Sequence, residues 1–159
     1  MLAMIAVGLA LFSAVGCNKL RARDQLNKGV QAYKNARYEE AIGHFQKATE
    51  LHPSLPMAKS YLATALAQNV VPGLDTPENL KTAQQAISMF QEVLAKDPND
   101  VNSMKQIAGI YFSIKKFPEA KEWQKKVLSV DPKDPEAAYT IGVIDWTEAH
   151  ENTLKALVP

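Results

Sequence analysis

The feature that most constrains this chain is a pattern that recurs along it. Three blocks share one set of internal steps: Ala41, Phe45, Ala48 and Pro53; Ala86, Phe90, Val93 and Pro98; Ala120, Gln124, Val127 and Pro132. The steps are four, three and five positions in each block. A small residue stands upstream of each block alanine, at Gly29, Ala63 and Ala108, and Gly142 opens a fourth unit. The step from Gly29 to Ala41 equals that from Ala108 to Ala120, whereas the step from Ala63 to Ala86 is longer by eleven positions. The step from Pro53 to Pro98 exceeds that from Pro98 to Pro132 by the same eleven. A period of about 34 residues, interrupted by one insertion of eleven, accounts for every offset. A period of this length marks an array of supersecondary units. No single unit can bury its apolar face, so neighbours must stack.

Within the units the apolar spacing is helical. Leu80, Ala83, Ile87, Phe90 and Leu94 fall on one face of a 3.6-residue turn. Pro53, Pro98 and Pro132 stand where helices have just ended and a missing N–H costs little. Small residues at Gly29, Ala41, Ala63 and Ala108 allow helices to approach closely, with the bulkier residues filling the gaps. The pattern predicts helices over 20–35, 38–51, 55–69, 77–96, 100–114, 117–130 and 135–149.

Several further positions agree in register: Leu62-Ala63, Ile107-Ala108 with Tyr111, and Ile141-Gly142. The runs Tyr38-Glu39-Glu40-Ala41-Ile42 and Phe117-Pro118-Glu119-Ala120 look like the junction between two helices of one unit. The period and these motifs resemble the tetratricopeptide repeat over residues 22–149. The resemblance implies an all-α, right-handed superhelical stack of helix-turn-helix repeats, an α-solenoid of about three and a half units. Three positions depart from the pattern. Lys28 replaces an aliphatic residue, Gln124 an aromatic and Asp145 a tyrosine; Trp123, next to Gln124, can supply the missing bulk.

The insertion lies near residues 68–78. Pro72-Gly73 signals a turn, and Thr76-Pro77-Glu78 reads as an N-cap, a proline at the first helical position and an acid at the positive helix end. Val70, Val71 and Leu74 are expected to tuck against the stack, ahead of a reading in which they form a partner-contacting flap. In the fourth unit, Asp145 and Glu148 stand where a further helix would pack. Acids there suit solvent and read as a polar cap. Residues 150–159 read as a tail.

At the other end, residues 1–16 carry no charge, and polarity sets in at Cys17. Sixteen apolar residues fall short of the ~20 that cross a bilayer as a helix but suit the core of a secretory signal. Ala14-Val15-Gly16-Cys17 resembles the lipobox of bacterial lipoprotein signals, with Ala14 where leucine is usual. The resemblance implies that residues 1–16 are a signal peptide, that Cys17 is lipidated, and that residues 17–21 are a tether. The competing reading is an uncleaved signal anchor with Cys17 as a passenger.

Composition narrows the function. Eighteen basic against seventeen acidic side chains give a net charge of +1, which lacks the basic excess of a nucleic-acid-binding surface. Hydrophobic content of 47% excludes wholesale disorder. One cysteine cannot form an internal disulfide or a multi-thiolate zinc cage. The seven glycines are scattered, with no phosphate-cradling loop, and His44 and His52 are eight positions apart, too far for a chelate on one helix face. His44 reads as a surface residue of its helix. No nucleophile, metal site or cofactor site is expected, and no catalysis.

What remains is a surface. The resemblance implies that the first helix of each unit lines a concave groove. Carried over residue by residue, that face comprises Leu26, Val30, Tyr33 and Lys34; Ser60, Thr64, Ala67 and Gln68; Lys105, Gly109, Phe112 and Ser113; and Tyr139, Val143 and Trp146. The aromatics Tyr33, Phe112, Tyr139 and Trp146 read as groove anchors rather than core. Members that grip a C-terminal carboxylate use Lys and Asn in the first unit. Leu26 and Val30 stand at those positions, so such a clamp is not expected. The expected function is a protein-interaction scaffold of the bacterial cell envelope, held by lipid on Cys17 at the periplasmic face of a membrane. Its partner would be another envelope protein or peptide segment, not nucleic acid or a small-molecule substrate. The alternative is a self-associating structural protein held by an uncleaved anchor.

Overall fold

Seven helices make up the chain in the computed structural model, which describes residues 2–157. Met1, Val158, Pro159 and the side chains of residues 2–16 and Pro56 lie outside the described residues, so the leader reading of residues 1–16 falls outside them too. The helices are α1 (Leu2–Lys34), α2 (Tyr38–Leu51), α3 (Pro56–Asn69), α4 (Pro77–Leu94), α5 (Val101–Ser113), α6 (Phe117–Val130) and α7 (Pro135–Leu157). No strand occurs among the described residues. Within each of two compact units, successive helices pack as hairpins, an all-α repeat arrangement of the α-solenoid class. The chain divides into two compact units, Met1–Asn69 and Val70–Pro159, and the division falls at the start of the insertion.

The repeat positions are the core positions. In the first unit Ala41, Phe45 and Ala48 are buried on α2, and the Phe45 ring stacks on Tyr61 of α3 with 5.6 Å between centroids. Gly29 of α1 lies directly under that ring. A β-carbon there would come within 2.5 Å of Phe45 Cε1. In the second unit Ala86 and Phe90 of α4, Ile107 and Ala108 of α5, and Ala120 and Val127 of α6 are buried. Met104, Val127 and Ala137 form a cluster that joins α5, α6 and α7, with Leu94, Val101, Trp123 and Leu128 around it.

The first and third repeats close their helix-helix turns in one way. Ala36 and Lys115 adopt left-handed φ of 56° and 59°. Arg37 N–H donates to Ala32 O at 2.9 Å and Lys116 N–H to Tyr111 O at 2.9 Å, which satisfies carbonyls that the helix end leaves open. The α4 start also follows expectation. Thr76 Oγ1 accepts from Asn79 N–H, and Pro77 is the first helical residue.

Several expectations need correction. Helix α1 continues N-terminally through residues 17–21, so the tether is helical; Leu20, Arg21, Ala22 and Arg23 are good helix formers, and Ala22 is fully buried. Helix α7 does not stop at 149 but runs to Leu157, because residues 149–157 contain no glycine or proline and no left-handed turn interrupts it. Of the insertion's aliphatics only Val70 is buried; Val71 and Leu74 face outward, 51% and 43% exposed. Loop backbone groups, rather than those side chains, make the attachment. Asn79 Oδ1 accepts from Val71 N–H at 2.8 Å, its amide donates to Val71 O and Leu74 O, and Gly73 N–H donates to Ser113 O at 2.8 Å. His44 is half-buried rather than a plain surface residue, with Nδ1 2.8 Å from Gln25 Oε1 of α1. Asp145 is exposed and Glu148 half-buried, and both turn to Lys121 of α6.

Candidate functional site

Every expected groove residue is exposed or half-buried, and none belongs to the core. In Met1–Asn69, Leu26, Val30 and Tyr33 are half-buried on α1 and Lys34 is exposed at its end. Tyr33 meets Tyr38 edge-on, at 5.4 Å between centroids. Burial first, and then the neighbouring Tyr38, push the Tyr33 hydroxyl above its ordinary pKa, so it stays neutral across the physiological range. Thr64 donates its hydroxyl to Ser60 O, one turn back on α3, which occupies its polar atom.

In Val70–Pro159, α5 carries Lys105 and Phe112, and α7 carries Tyr139, Val143 and Trp146. Phe112 repeats the Tyr33 arrangement, five positions before an aromatic partner, Phe117, at 5.5 Å and edge-on. The same left-handed turn lies between each pair. Tyr139 and Trp146 are the most open aromatics, at 74% and 67% exposure. With Gly142 and Val143 they line a shallow apolar hollow of about 270 Å³. Trp146 stacks parallel to His150, with 5.3 Å between ring centroids.

Lys105 is not the open cation that its place suggests. Its Nζ lies 2.9 Å from Asp134 Oδ2 and 2.6 Å from Glu136 Oε2, both at the start of α7. The hydrogen bonds to Glu136 and Asp134 raise the lysine pKa. In turn, Lys105 and the Ala137 N–H hold the Asp134 carboxyl below its ordinary value. Lys105 therefore ties α5 to α7 and carries little surplus positive charge for a ligand. Only the contact partners, two acids at the start of a later helix, reveal this; the spacing of the repeat gives no sign of it.

Gln124 is a second departure with a physical cost. It fills an aromatic position, is 3% exposed, and its Oε1 has no hydrogen-bond partner among the described residues. Trp123 packs beside it at the cluster's edge, with Lys126 Nζ 3.6 Å above the indole. Cys17 is exposed on α1. Among the described residues no group of His, Cys, Asp or Glu could hold a metal, and no helix is long and apolar enough to cross a membrane.

Residues 80–142 match the tetratricopeptide repeat. Curated proteins are similar over most of the chain. Hsp70-Hsp90 organizing protein 3 of Arabidopsis thaliana is 27% identical over 115 residues, which cover 72% of this chain. The chain spans about a fifth of that relative, 19% of its length. Among solved structures, the first tetratricopeptide domain of Spaghetti (RPAP3), bound to an HSP90 peptide, aligns with a TM-score of 0.59 at 23% identity, covering 82% of this chain and 95% of that one. MamA from Desulfovibrio magneticus RS-1 aligns with a TM-score of 0.63 at 17% identity, covering 83% and 68%. At these identities the structural likeness establishes the repeat fold.

Proposed function

We propose that this chain is a non-catalytic interaction module of the bacterial cell envelope, anchored to a membrane through lipid on Cys17. It binds a segment of another envelope protein on the outward faces of α5 and α7. The observation that carries the binding reading is the open aromatic face of α7, Tyr139 and Trp146 around an apolar hollow, with Phe112 outward on α5. Rigid aromatics supply large contact area at small rotamer cost, the usual chemistry of an interface anchor. The solved relative bound to an HSP90 peptide supports a peptide segment as the ligand class. The acidic tail of that peptide, ending EEVD, is not the expected chemistry here. Leu26 and Val30 are aliphatic, and Lys105 is already held by two carboxylates. An apolar or amphipathic segment fits better.

The envelope and lipid parts of the reading rest on the apolar residues 1–16 and on the lipobox-like run ending at Cys17. The test has two arms. Intact mass of the membrane-extracted protein should show acylation on a chain that begins at Cys17; retention of Met1 without acyl mass would refute the anchor. A photo-crosslinking residue in place of Tyr139 should capture an envelope protein in cells, and Phe112→Ala should reduce that capture. Undiminished capture by Phe112→Ala and Trp146→Ala together would refute the face.

A further inference from the structure

Helix α7 carries an apolar stripe longer than its packed part. At 3.6 residues per turn, Tyr139, Val143, Trp146, His150, Leu154 and Leu157 fall within an arc of about 80° along roughly 27 Å of helix. Leu154 and Leu157 are 50% and 73% exposed, and every described residue from 149 onward is exposed. The stripe contains no formal charge. The acids Asp145 and Glu148 lie off it and are engaged by Lys121. A helix extension that packs on nothing is marginal in water.

We propose that this stripe is a self-association surface, and that its occupant is the α7 stripe of a second copy, antiparallel about a two-fold axis at the level of residue 148. The stripe carries its own complement under that symmetry, as an isologous contact requires. Leu154 falls opposite Gly142, where a β-carbon would meet nothing within 4 Å, and fills the hollow between Tyr139 and Trp146. The stacked Trp146–His150 pairs of the two copies meet near the axis, and Tyr139 meets Leu157. The area suffices. The exposed parts of Tyr139 and Trp146 amount to about 100–180 Å² each, given ~150–250 Å² for a whole aromatic side chain. With the leucines and Val143 the stripe brings about 500–600 Å² per copy, which reaches the ~1,000 Å² total that a specific interface needs.

This contact goes beyond partner binding and competes with it for Tyr139 and Trp146. Leu154 and Leu157 take no part in the partner reading, whereas Gly142 lines the hollow that both readings use, so variants at the two leucines separate the two proposals. The experiment is sedimentation equilibrium of the full chain in detergent, with thermal melting by circular dichroism. The wild type should sediment at twice the monomer mass that intact mass spectrometry gives for the same preparation. Leu154→Glu with Leu157→Glu should raise the dimer dissociation constant by about 100-fold or more. Gly142→Leu, which plugs the hollow, should also dissociate the dimer, with a melting temperature equal to or above that of the wild type. In a Cys17→Ser background, Leu157→Cys chains should crosslink through a short bismaleimide to Tyr139→Cys chains but not to each other, since the two 157 positions stand about 27 Å apart. A monomer at all concentrations, a dimer that survives both sets of variants, or efficient crosslinking of Leu157→Cys to itself would overturn the proposal.

Discussion

Gly29 and Gly142 occupy the same position of the first and fourth repeats, yet alanine should act on them with opposite signs. Removing a glycine from a helix interior favours the fold by about 0.5–1 kcal/mol, because the unfolded chain loses conformational freedom. Within the single chain nothing opposes that gain at Gly142, since an added β-carbon has open space around it. Gly142→Ala is therefore expected to stabilise by about that amount. At Gly29 the added carbon would sit 2.5 Å from Phe45 Cε1, 2.6 Å from Cδ1 and 3.0 Å from Cζ. A carbon-carbon contact wants about 3.5–4.0 Å, so the ring or the helix must move by about an ångström. The Phe45 ring cannot move cheaply: it is 1% exposed and stacked on Tyr61. Overpacking costs about 1–3 kcal/mol, and contacts of 2.5–2.6 Å belong to the upper part of that range, so after the propensity gain Gly29→Ala is left destabilised by about 1–2.5 kcal/mol. Urea denaturation followed by circular dichroism, run on both variants beside the wild type, measures the two shifts. Equal signs would refute the argument that the ring, rather than the repeat position, decides what glycine is for.

Phe90→Ala empties a buried position and should cost about 3–5 kcal/mol of stability, whereas Phe112→Ala, at an exposed position, should weaken partner capture and leave the melt nearly unchanged; equal destabilisation would place Phe112 in the core. Gln124→Met removes a buried acceptor without a partner at similar side-chain length and should stabilise by about 1–2 kcal/mol in urea titration. Asp134 has a depressed carboxyl pKa, so it favours the fold above its ordinary value of 3.8, and that contribution is lost as pH falls through the depressed value. Melting temperature should therefore drop on acidification below about pH 4, and Asp134→Ala should make that drop shallower.

The helices are legible because their signals are local or periodic. Both ends of α2 and α6 fall where the spacing puts them, and the block alanines are buried because the repeat period selects contact positions. The helix ends that differ share a cause. Nothing in the residues around 149 distinguishes a helix that turns from one that continues, since the turns after α1 and α5 are made by Ala36 and Lys115 rather than by glycine. A non-glycine residue in the left-handed region leaves no mark in the sequence. Val71 and Leu74 depart from expectation because aliphatic character argues for burial only when backbone anchoring is ignored, and Asn79 supplies that anchoring. On the candidate face the aromatics can be placed by register alone. The neutralisation of Lys105 cannot, because it depends on carboxylates of a later helix.

The way the insertion is knitted has a consequence for modularity. Its polar backbone atoms are satisfied by Asn79 and Ser113, both within Val70–Pro159, and Val70 itself is buried. That segment thus opens on a ready-made terminal closure instead of a raw helix end, and it should fold as an excised cassette. Amides of residues 71 and 73 would be its slowest-exchanging loop protons. Asn79→Ala would unfasten the closure, and exchange at those two sites should accelerate before any helix melts.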